Sequence, residues 1–204
     1  MLVLTVDETR RLISAVDRTD IWGARNYALL VFLFNTGLRV SELVFLNAEH
    51  VSTDGHQVRD ILHLPAAAAK YHRSRLVPLN ENARQAAAAI LSWNRKYGFS
   101  TEPGSPLFVT RCHTRMSDRS VQDLFVALRR KAGLDVQATP HSARHTMATQ
   151  ALACGGNVRA LQNVLGLRQS LERKVYLRTP QSVSVGSRSG RSCPSLTGSA
   201  SAKE

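Results

Sequence analysis

Cysteine is scarce in this chain, and its few copies follow no recognisable pattern. There are three cysteines among 204 residues, an odd number, and no two of them stand in a CxxC spacing. This usage argues against a disulfide framework or a zinc site and indicates a reducing, cytoplasmic compartment. Long apolar runs are also missing. The longest, residues 27–34, is too short to span a membrane. The N-terminal residues lack the pattern of a signal peptide, so we expect no membrane partner.

Acidic residues are few compared with basic ones. The chain has 15 Asp and Glu residues against 27 Lys and Arg residues, a formal net charge of +12 and a pI near 10.6. Such a balance suits a polyanion, and nucleic acid is the usual one, although a basic protein without that role has the same composition. The sequence shows no acidic cluster fit to hold magnesium and no glycine-rich phosphate loop. We therefore expect neither a metal ion nor a nucleotide cofactor.

Helical patterns dominate the chain, with one stretch of extended character. Residues 20–35 are apolar nearly all round, which predicts a helix at the buried centre of a domain. Capping residues and apolar periodicity predict further helices after Thr5, after residue 39, and at 82–97, 117–132, 140–153 and 158–165. Residues 60–64 and 75–79 predict two antiparallel strands. The expected fold class is α+β, mainly α-helical, with a small antiparallel sheet or hairpin on one side. The Ser/Gly-rich residues 181–204 predict a disordered tail after a single domain at 1–180.

The connection between the two predicted strands is basic. It carries Lys70, His72, Arg73 and Arg75 near the predicted hairpin tip. This pattern is typical of a solvated charged turn, but it also suits a basic finger that enters a DNA groove and places one lysine at the scissile phosphate. The alanines at 66–69 are poor strand formers, so we expect an irregular hairpin.

Two further groups of residues are candidates for chemistry. Arg39 follows the central helix at once, with Glu42 three residues later. This is either a surface ion pair of little energetic value or an arginine placed between core and surface. His141, Arg144 and His145 fall at i, i+3 and i+4 after a proline helix start, so they share one helix face.

Such residues can cleave a phosphodiester without a metal ion. Two arginines and a histidine stabilise a pentavalent phosphate by charge-assisted hydrogen bonds to its oxygens. A tyrosine can supply the nucleophile, and a lysine can protonate the leaving oxygen. Tyr176 follows the His141–Arg144 pair two helices later, although taken alone it is also typical of a half-buried helix tyrosine.

Four motifs together resemble the catalytic domain of tyrosine recombinases, the phage integrase family. The segment TGLRVSEL at 36–43 matches the family's first arginine motif, and RLVPL at 75–79 matches the segment after its hairpin lysine. The box HSARH at 141–145 and the corner LGL at 165–167, nine residues before Tyr176, complete the pattern. The resemblance covers about residues 5 to 178 and implies the fold of that domain.

The resemblance also implies a role for each motif residue. Arg39 and Arg144 clamp the scissile phosphate, and His141 hydrogen-bonds it and assists proton transfer. Lys70 is the general acid for the 5′ oxygen. Tyr176 forms a 3′-phosphotyrosine that conserves the bond energy, so no cofactor is needed. The implied reaction is site-specific recombination or integration of double-stranded DNA by a homo-oligomer, a tetramer on two sites.

Supporting residues and departures from the family pattern complete the expectations. Glu42 braces Arg39, and His145 supports its helix rather than touching DNA. Leu167 stands where the family has His or Trp, and the loss of that donor lowers the rate on the order of 10- to 1000-fold. We expect no separate N-terminal core-binding domain, and the tail is poorly suited to packing on a neighbouring subunit. Two other functions therefore stay open: a non-catalytic DNA-binding relative with an architectural or regulatory role, and a relaxing topoisomerase.

Overall fold

The computed structural model describes residues 2–68 and 73–166 of the chain. The helices are α1 (Val6–Ser14), α2 (Ile21–Thr36), α3 (Val40–Phe45), α4 (Ala48–Val51), α5 (Glu81–Lys96), α6 (Asp118–Lys131), α7 (Pro140–Ala153) and α8 (Val158–Leu165). Two strands, β1 (Ile61–Leu64) and β2 (Arg75–Pro78), and a 3-10 turn at Ala66–Ala68 stand between α4 and α5. Three predicted site residues, Lys70, Leu167 and Tyr176, and the predicted tail lie outside the described residues.

Helix α2 is the centre of the domain, as the sequence predicts. Asp20 begins the helix, because its carboxylate accepts hydrogen bonds of 3.1 Å from the backbone N–H groups of Trp22 and Gly23. Every side chain from residue 28 to residue 34 is buried. Helices α5 and α7 both pack against α2. A helix that is apolar on all sides must be surrounded by other elements to be shielded from water, and α5 and α7 bury much of the surface of α2.

The sheet lies beside this helical core. Strands β1 and β2 pair antiparallel, with Leu62 opposite Val77 and Leu64 opposite Arg75. Leu62, Leu64 and Val77 are fully buried, and the alternate positions of β1 are exposed, which is the pattern of a sheet with one covered face. The predicted fold class is confirmed. The alanine tract forms the 3-10 turn rather than strand, and the single turn of α4 was not predicted.

The C-terminal ends of α2 and α8 meet against α7. Gly37 ends α2 and Gly166 ends α8, each with φ of +62°, a left-handed conformation that glycine adopts without a Cβ penalty. A Cβ atom on Gly37 would collide with Cε of Met147 in α7 and would lie 3.1 Å from Cδ2 of Leu165 in α8. The backbone of Gly37 therefore fills the space between two other helices.

We expect Gly37→Ala to lower the free energy of unfolding by about 2–3 kcal/mol, mainly from the strain of a left-handed alanine and in smaller part from displacing the side-chain ends of Met147 and Leu165. The matched control is Gly98→Ala, because Gly98 has φ of +74° and no atom within 4 Å of its would-be Cβ. This control should lose only about 1–2 kcal/mol, the strain alone. Urea unfolding of both variants measures the difference. Equal losses would show that Gly37 is not closely packed.

Cysteine environment, membrane-spanning helices and metal-binding groups can be examined within the described residues. Cys112 is an exposed free thiol. No helix within residues 2–68 and 73–166 has the length and apolar character needed to cross a membrane. The same ranges hold no group of three or more His, Cys, Asp or Glu residues placed to bind a metal ion.

Candidate active site

Glu42 is the centre of the polar site. It lies in the first turn of α3 and is fully buried. Its Oε1 atom accepts hydrogen bonds of 2.9 Å from Nη1 of Arg39 and of 2.9 Å from Nη1 of Arg75. Its Oε2 atom accepts 2.6 Å from Nη2 of Arg75 and 2.8 Å from the backbone N–H of Arg39. One carboxylate therefore joins the start of α3 to strand β2.

Arg144 brings α7 to the same carboxylate. Its Nη1 atom lies 4.0 Å from Oε2 of Glu42 and donates a 2.7 Å hydrogen bond to the carbonyl of Gly37. Its Nη2 atom donates a 2.5 Å hydrogen bond to the carbonyl of Leu165. Arg144 is 2% exposed, so its guanidinium is held by the ends of α2 and α8.

Arg39, Arg75, Arg144 and Glu42 form what we call the arginine cluster. Burial raises the pKa of Glu42, but hydrogen bonds from Arg75 and Arg39 and the charges of both arginines lower it, so that the pKa of this carboxyl lies below its ordinary value of 4.5. Glu42 is therefore ionised at neutral pH. Three positive charges face one negative charge, and the excess positive charge favours binding of an anion.

Arg39 is the member of the cluster that faces outward. Its side chain is 18% exposed, against 10% for Arg75 and 3% for Arg144. Within residues 2–68 and 73–166, its Nε and Nη2 atoms donate to no other group, since Glu42 takes only Nη1 and the backbone N–H. Because Nε carries one hydrogen and Nη2 carries two, these atoms of Arg39 can donate up to three further hydrogen bonds to a bound anion.

The two histidines of α7 differ in environment. His141 is exposed in the first turn, one turn before Arg144. Its ring contacts that of His145 edge to face, with 4.5 Å between centroids. His145 is 4% exposed, and burial, followed by the charges of His141 and Arg144, lowers its pKa to about 4. His145 is therefore neutral at neutral pH, and a packing role for it agrees with its burial.

The structure thus brings part of the predicted site together. Arg39, Glu42 and Arg144 share one carboxylate, and His141 lies one helical turn from Arg144. Neither interpretation of the basic connection, a solvated charged turn or a DNA finger, describes Arg75. Its guanidinium instead lies on the core side of the sheet, bonded to Glu42. The sequence did contain an indication of this position, because alternate residues of a strand share a face and residue 75 therefore lies on the same face as the buried Val77.

The comparison with protein families decides which family this site belongs to. The pattern described as the phage integrase family matches residues 3–181 of the chain. The chain belongs to the phage integrase family. This match confirms the predicted resemblance and covers every motif on which it was based.

Named members of the phage integrase family share about a third of the residues. Tyrosine recombinase XerD of Bifidobacterium longum (strain NCC 2705) is 32% identical over 182 residues, which are 85% of this chain and 57% of the relative. Tyrosine recombinase XerC of Salmonella typhi is 30% identical over 173 residues, which are 85% of this chain and 54% of the relative. The chain therefore spans between half and two thirds of the length of these relatives.

Solved structures of the family have the same fold. The crystal structure of XerA recombinase superposes with a TM-score of 0.72 at 28% identity, covering 89% of this chain and 62% of that one. The XerH site-specific recombinase bound to difH substrate, in a pre-cleavage complex, gives a TM-score of 0.67 at 17% identity, with 85% and 48% covered. The second likeness shows the fold alone. The first supports the assignment of the described helices and sheet to a tyrosine recombinase catalytic domain.

Proposed function

We propose that this domain cleaves and rejoins double-stranded DNA through a 3′-phosphotyrosine on Tyr176, in site-specific recombination. The observation that carries the proposal is the arginine cluster, in which Arg39 and Arg144 are held around one buried carboxylate and carry excess positive charge. A phosphodiester is an anion of the charge and oxygen geometry that guanidinium groups bind best. The family membership of the chain supports this choice over other anions.

The clamp on the phosphate is the first part of the proposed mechanism. Arg39 donates from Nε or Nη2 to one non-bridging oxygen, and the charge of Arg144 behind it stabilises the same phosphate. His141, at the exposed start of α7, donates to a second oxygen. Negative charge on these oxygens grows in the pentavalent transition state, so donors already fixed in place lower the barrier. Protein donors alone provide this stabilisation, without a metal ion.

Nucleophile and acid complete the reaction. The phenol of Tyr176 gives up its proton, a transfer that His141 assists, and its oxygen attacks the phosphorus. The bond to the 5′ oxygen breaks, and the ammonium of Lys70 gives that oxygen a proton. The phosphodiester energy is kept in the phosphotyrosine bond. A 5′ hydroxyl then attacks the phosphotyrosine and releases the tyrosine, which rejoins the strand without a nucleotide cofactor.

The proposed partners are a DNA duplex and further copies of this chain. Relatives of the same fold have been crystallised on DNA, among them the Tn1549 transposon integrase with circular intermediate DNA and XerH with difH. One active site of this kind cuts one strand, so an exchange of two duplexes requires four protomers. We therefore propose a tetramer on two sites.

A covalent trap tests the proposal. The substrate is a pool of duplexes with randomised sequence and one nick, so that cleavage nearby releases a short fragment and prevents religation. We expect the wild-type protein to form an adduct that survives denaturant, with the DNA on the peptide that contains Tyr176. The Tyr176→Phe protein should form none, because it lacks the nucleophile.

The matched control is Tyr97→Phe, because Tyr97 caps the end of α5 and packs on Trp93, away from the arginine cluster. This control should form the adduct at the wild-type rate. A wild-type protein that binds DNA and never forms the adduct would favour the alternative, a non-catalytic DNA-binding relative. An adduct that forms on every sequence in the pool alike would favour a relaxing topoisomerase.

A further inference from the structure

Arg75 connects more of the site than any role in DNA contact requires. Its Nη1 and Nη2 atoms grip the two oxygens of Glu42 at 2.9 and 2.6 Å. Its Nε atom donates a 2.7 Å hydrogen bond to the carbonyl of Val164, in the last turn of α8. The side chain is 10% exposed and Glu42 is fully buried. All these bonds are charge-assisted and shielded from water, which makes them strong.

The three elements that Arg75 joins are those that lead to the reacting groups. Strand β2 begins five residues after Lys70, and α3 begins directly after Arg39. Helix α8 ends at Gly166, ten residues before Tyr176. Gly166 packs directly on the same arginine, because a Cβ atom there would lie 3.3 Å from Cδ and from Nη1 of Arg75. The guanidinium is thus the contact between the hairpin and the helix end.

Arg75 and Arg39 also compete for the two carboxylate oxygens of Glu42. Arg144 lies 4.0 Å from Oε2 of Glu42 but donates its hydrogen bonds to the carbonyls of Gly37 and Leu165. Without Arg75, the side chain of Arg39 can therefore turn inward and bind both oxygens of Glu42. With Arg75 present, Arg39 is left with Nη1 on the carboxylate and with Nε and Nη2 available. Bidentate pairing is favourable for a guanidinium, so this competition determines the direction in which Arg39 points.

We propose that Arg75 is a positioning residue for strand cleavage: it orients Arg39 through Glu42 and holds strand β2 against the end of α8. Arg75 itself does not touch the DNA. The inference rests on the proposed function, and it adds a residue whose loss slows the chemical step while DNA binding is retained.

The test compares Arg75→Met with Arg84→Met in the full chain. Arg84 is the matched control, because it also pairs with two carboxylates, Asp60 and Glu81, but on the exposed surface of α5. The substrate is a nicked duplex recovered from the wild-type covalent adduct. We expect Arg75→Met to slow adduct formation on the order of 100-fold, as for a catalytic group displaced by about 1 Å. Its DNA affinity should stay within about threefold of the wild type, and Arg84→Met should match the wild type in both.

The pH profile separates positioning from a merely structural role. Glu42 is approached by Arg39 at the start of α3, by Arg75 from β2 and by Arg144 from α7. Burial raises the pKa of Glu42, and the hydrogen bonds from Arg75 are the strongest of the contacts that lower it, so the loss of Arg75 raises this pKa. The acid limb of the cleavage rate should therefore move to higher pH in Arg75→Met. Arg75→Lys keeps the positive charge but loses the two-pronged hydrogen bonding of the guanidinium. It should slow cleavage about tenfold and leave the acid limb of the pH–rate profile near its wild-type position.

Each outcome decides between the hypotheses. Wild-type rates in Arg75→Met and Arg75→Lys would overturn this inference and leave the proposed function standing. Loss of DNA binding in parallel with cleavage would make Arg75 a DNA contact and would also overturn it. If Arg75→Met does not fold, the rate of Arg75→Lys decides, and a wild-type rate there counts against the inference. A wild-type protein that forms no adduct overturns the proposed function itself.

Discussion

Arg144→Ala is expected to slow formation of the covalent DNA adduct by ~1000-fold or more, as with other arginines that stabilise phosphoryl transfer. Its DNA affinity should fall by no more than about tenfold, because many phosphate contacts share the binding energy. The physical reason is that the arginine acts mainly where negative charge grows, in the transition state. Single-turnover trapping on a nicked duplex measures the rate, and a filter-binding titration measures the affinity.

Two comparisons make this result specific. Arg144 donates to the buried carbonyls of Gly37 and Leu165, so alanine also leaves these acceptors unpaired and lowers stability. Rates must therefore be measured below the unfolding temperature of the variant and corrected for its folded fraction. Arg84→Ala, which removes an exposed arginine, should cleave at the wild-type rate. A parallel loss of binding and cleavage in Arg144→Ala would contradict a transition-state role.

Glu42→Gln should destabilise the domain by about 3–5 kcal/mol, the cost of removing one partner from a buried ion pair. The change keeps the shape of the side chain but leaves Arg75 and Arg144 in a buried place with no negative charge nearby. It also gives the amide nitrogen of glutamine two donors that face arginine donors. Urea unfolding at pH 7 measures the loss. Glu81→Gln, an exposed carboxylate paired with Arg84, is the control and should change stability little.

The same substitution has a signature in pH. The pKa of Glu42 is lowered in the folded state, so its contribution to stability is fully present above the ordinary value of 4.5 and is lost as pH falls through the folded-state pKa. The stability advantage of wild type over Glu42→Gln should therefore be constant near neutral pH and should shrink in acid. An advantage that does not change down to pH 3 would show that the carboxylate charge is not what stabilises the cluster.

Most of the fold was predictable because its signals are local. The capping oxygen of Asp20, the apolar run of α2 and the left-handed Gly37 lie within a few residues of the elements that they define. The bounds of α8, Val158–Leu165, and its end at Gly166 were predicted to the residue. The turn of α4 was missed because four residues carry too little periodicity to be recognised.

The site was predictable only in part, because its geometry depends on contacts between distant segments. The sequence paired Glu42 with Arg39, which is three residues away. It could not show that the same carboxylate takes Arg75, 33 residues on, or lies 4.0 Å from Arg144. Arg75 was grouped with the basic residues around it, as part of a solvated turn or a DNA finger, although the two-residue period of the strand places it on the same face as the buried Val77. The roles of Lys70, Leu167 and Tyr176 stay predictions.

Arg144 has a second duty that bears on how such domains lose their activity. It ties the ends of two helices together through the carbonyls of Gly37 and Leu165, so a copy that no longer cuts DNA would still lose stability without it. Arg39 has no such tie, since its side chain reaches a single carboxylate from a partly open position. Among copies of this domain that have lost cleavage activity, mutation should therefore replace the arginine at position 39 well before the arginine at position 144. An arginine at position 144 therefore indicates a stable domain, whereas an arginine at position 39 is the better indicator of cleavage activity.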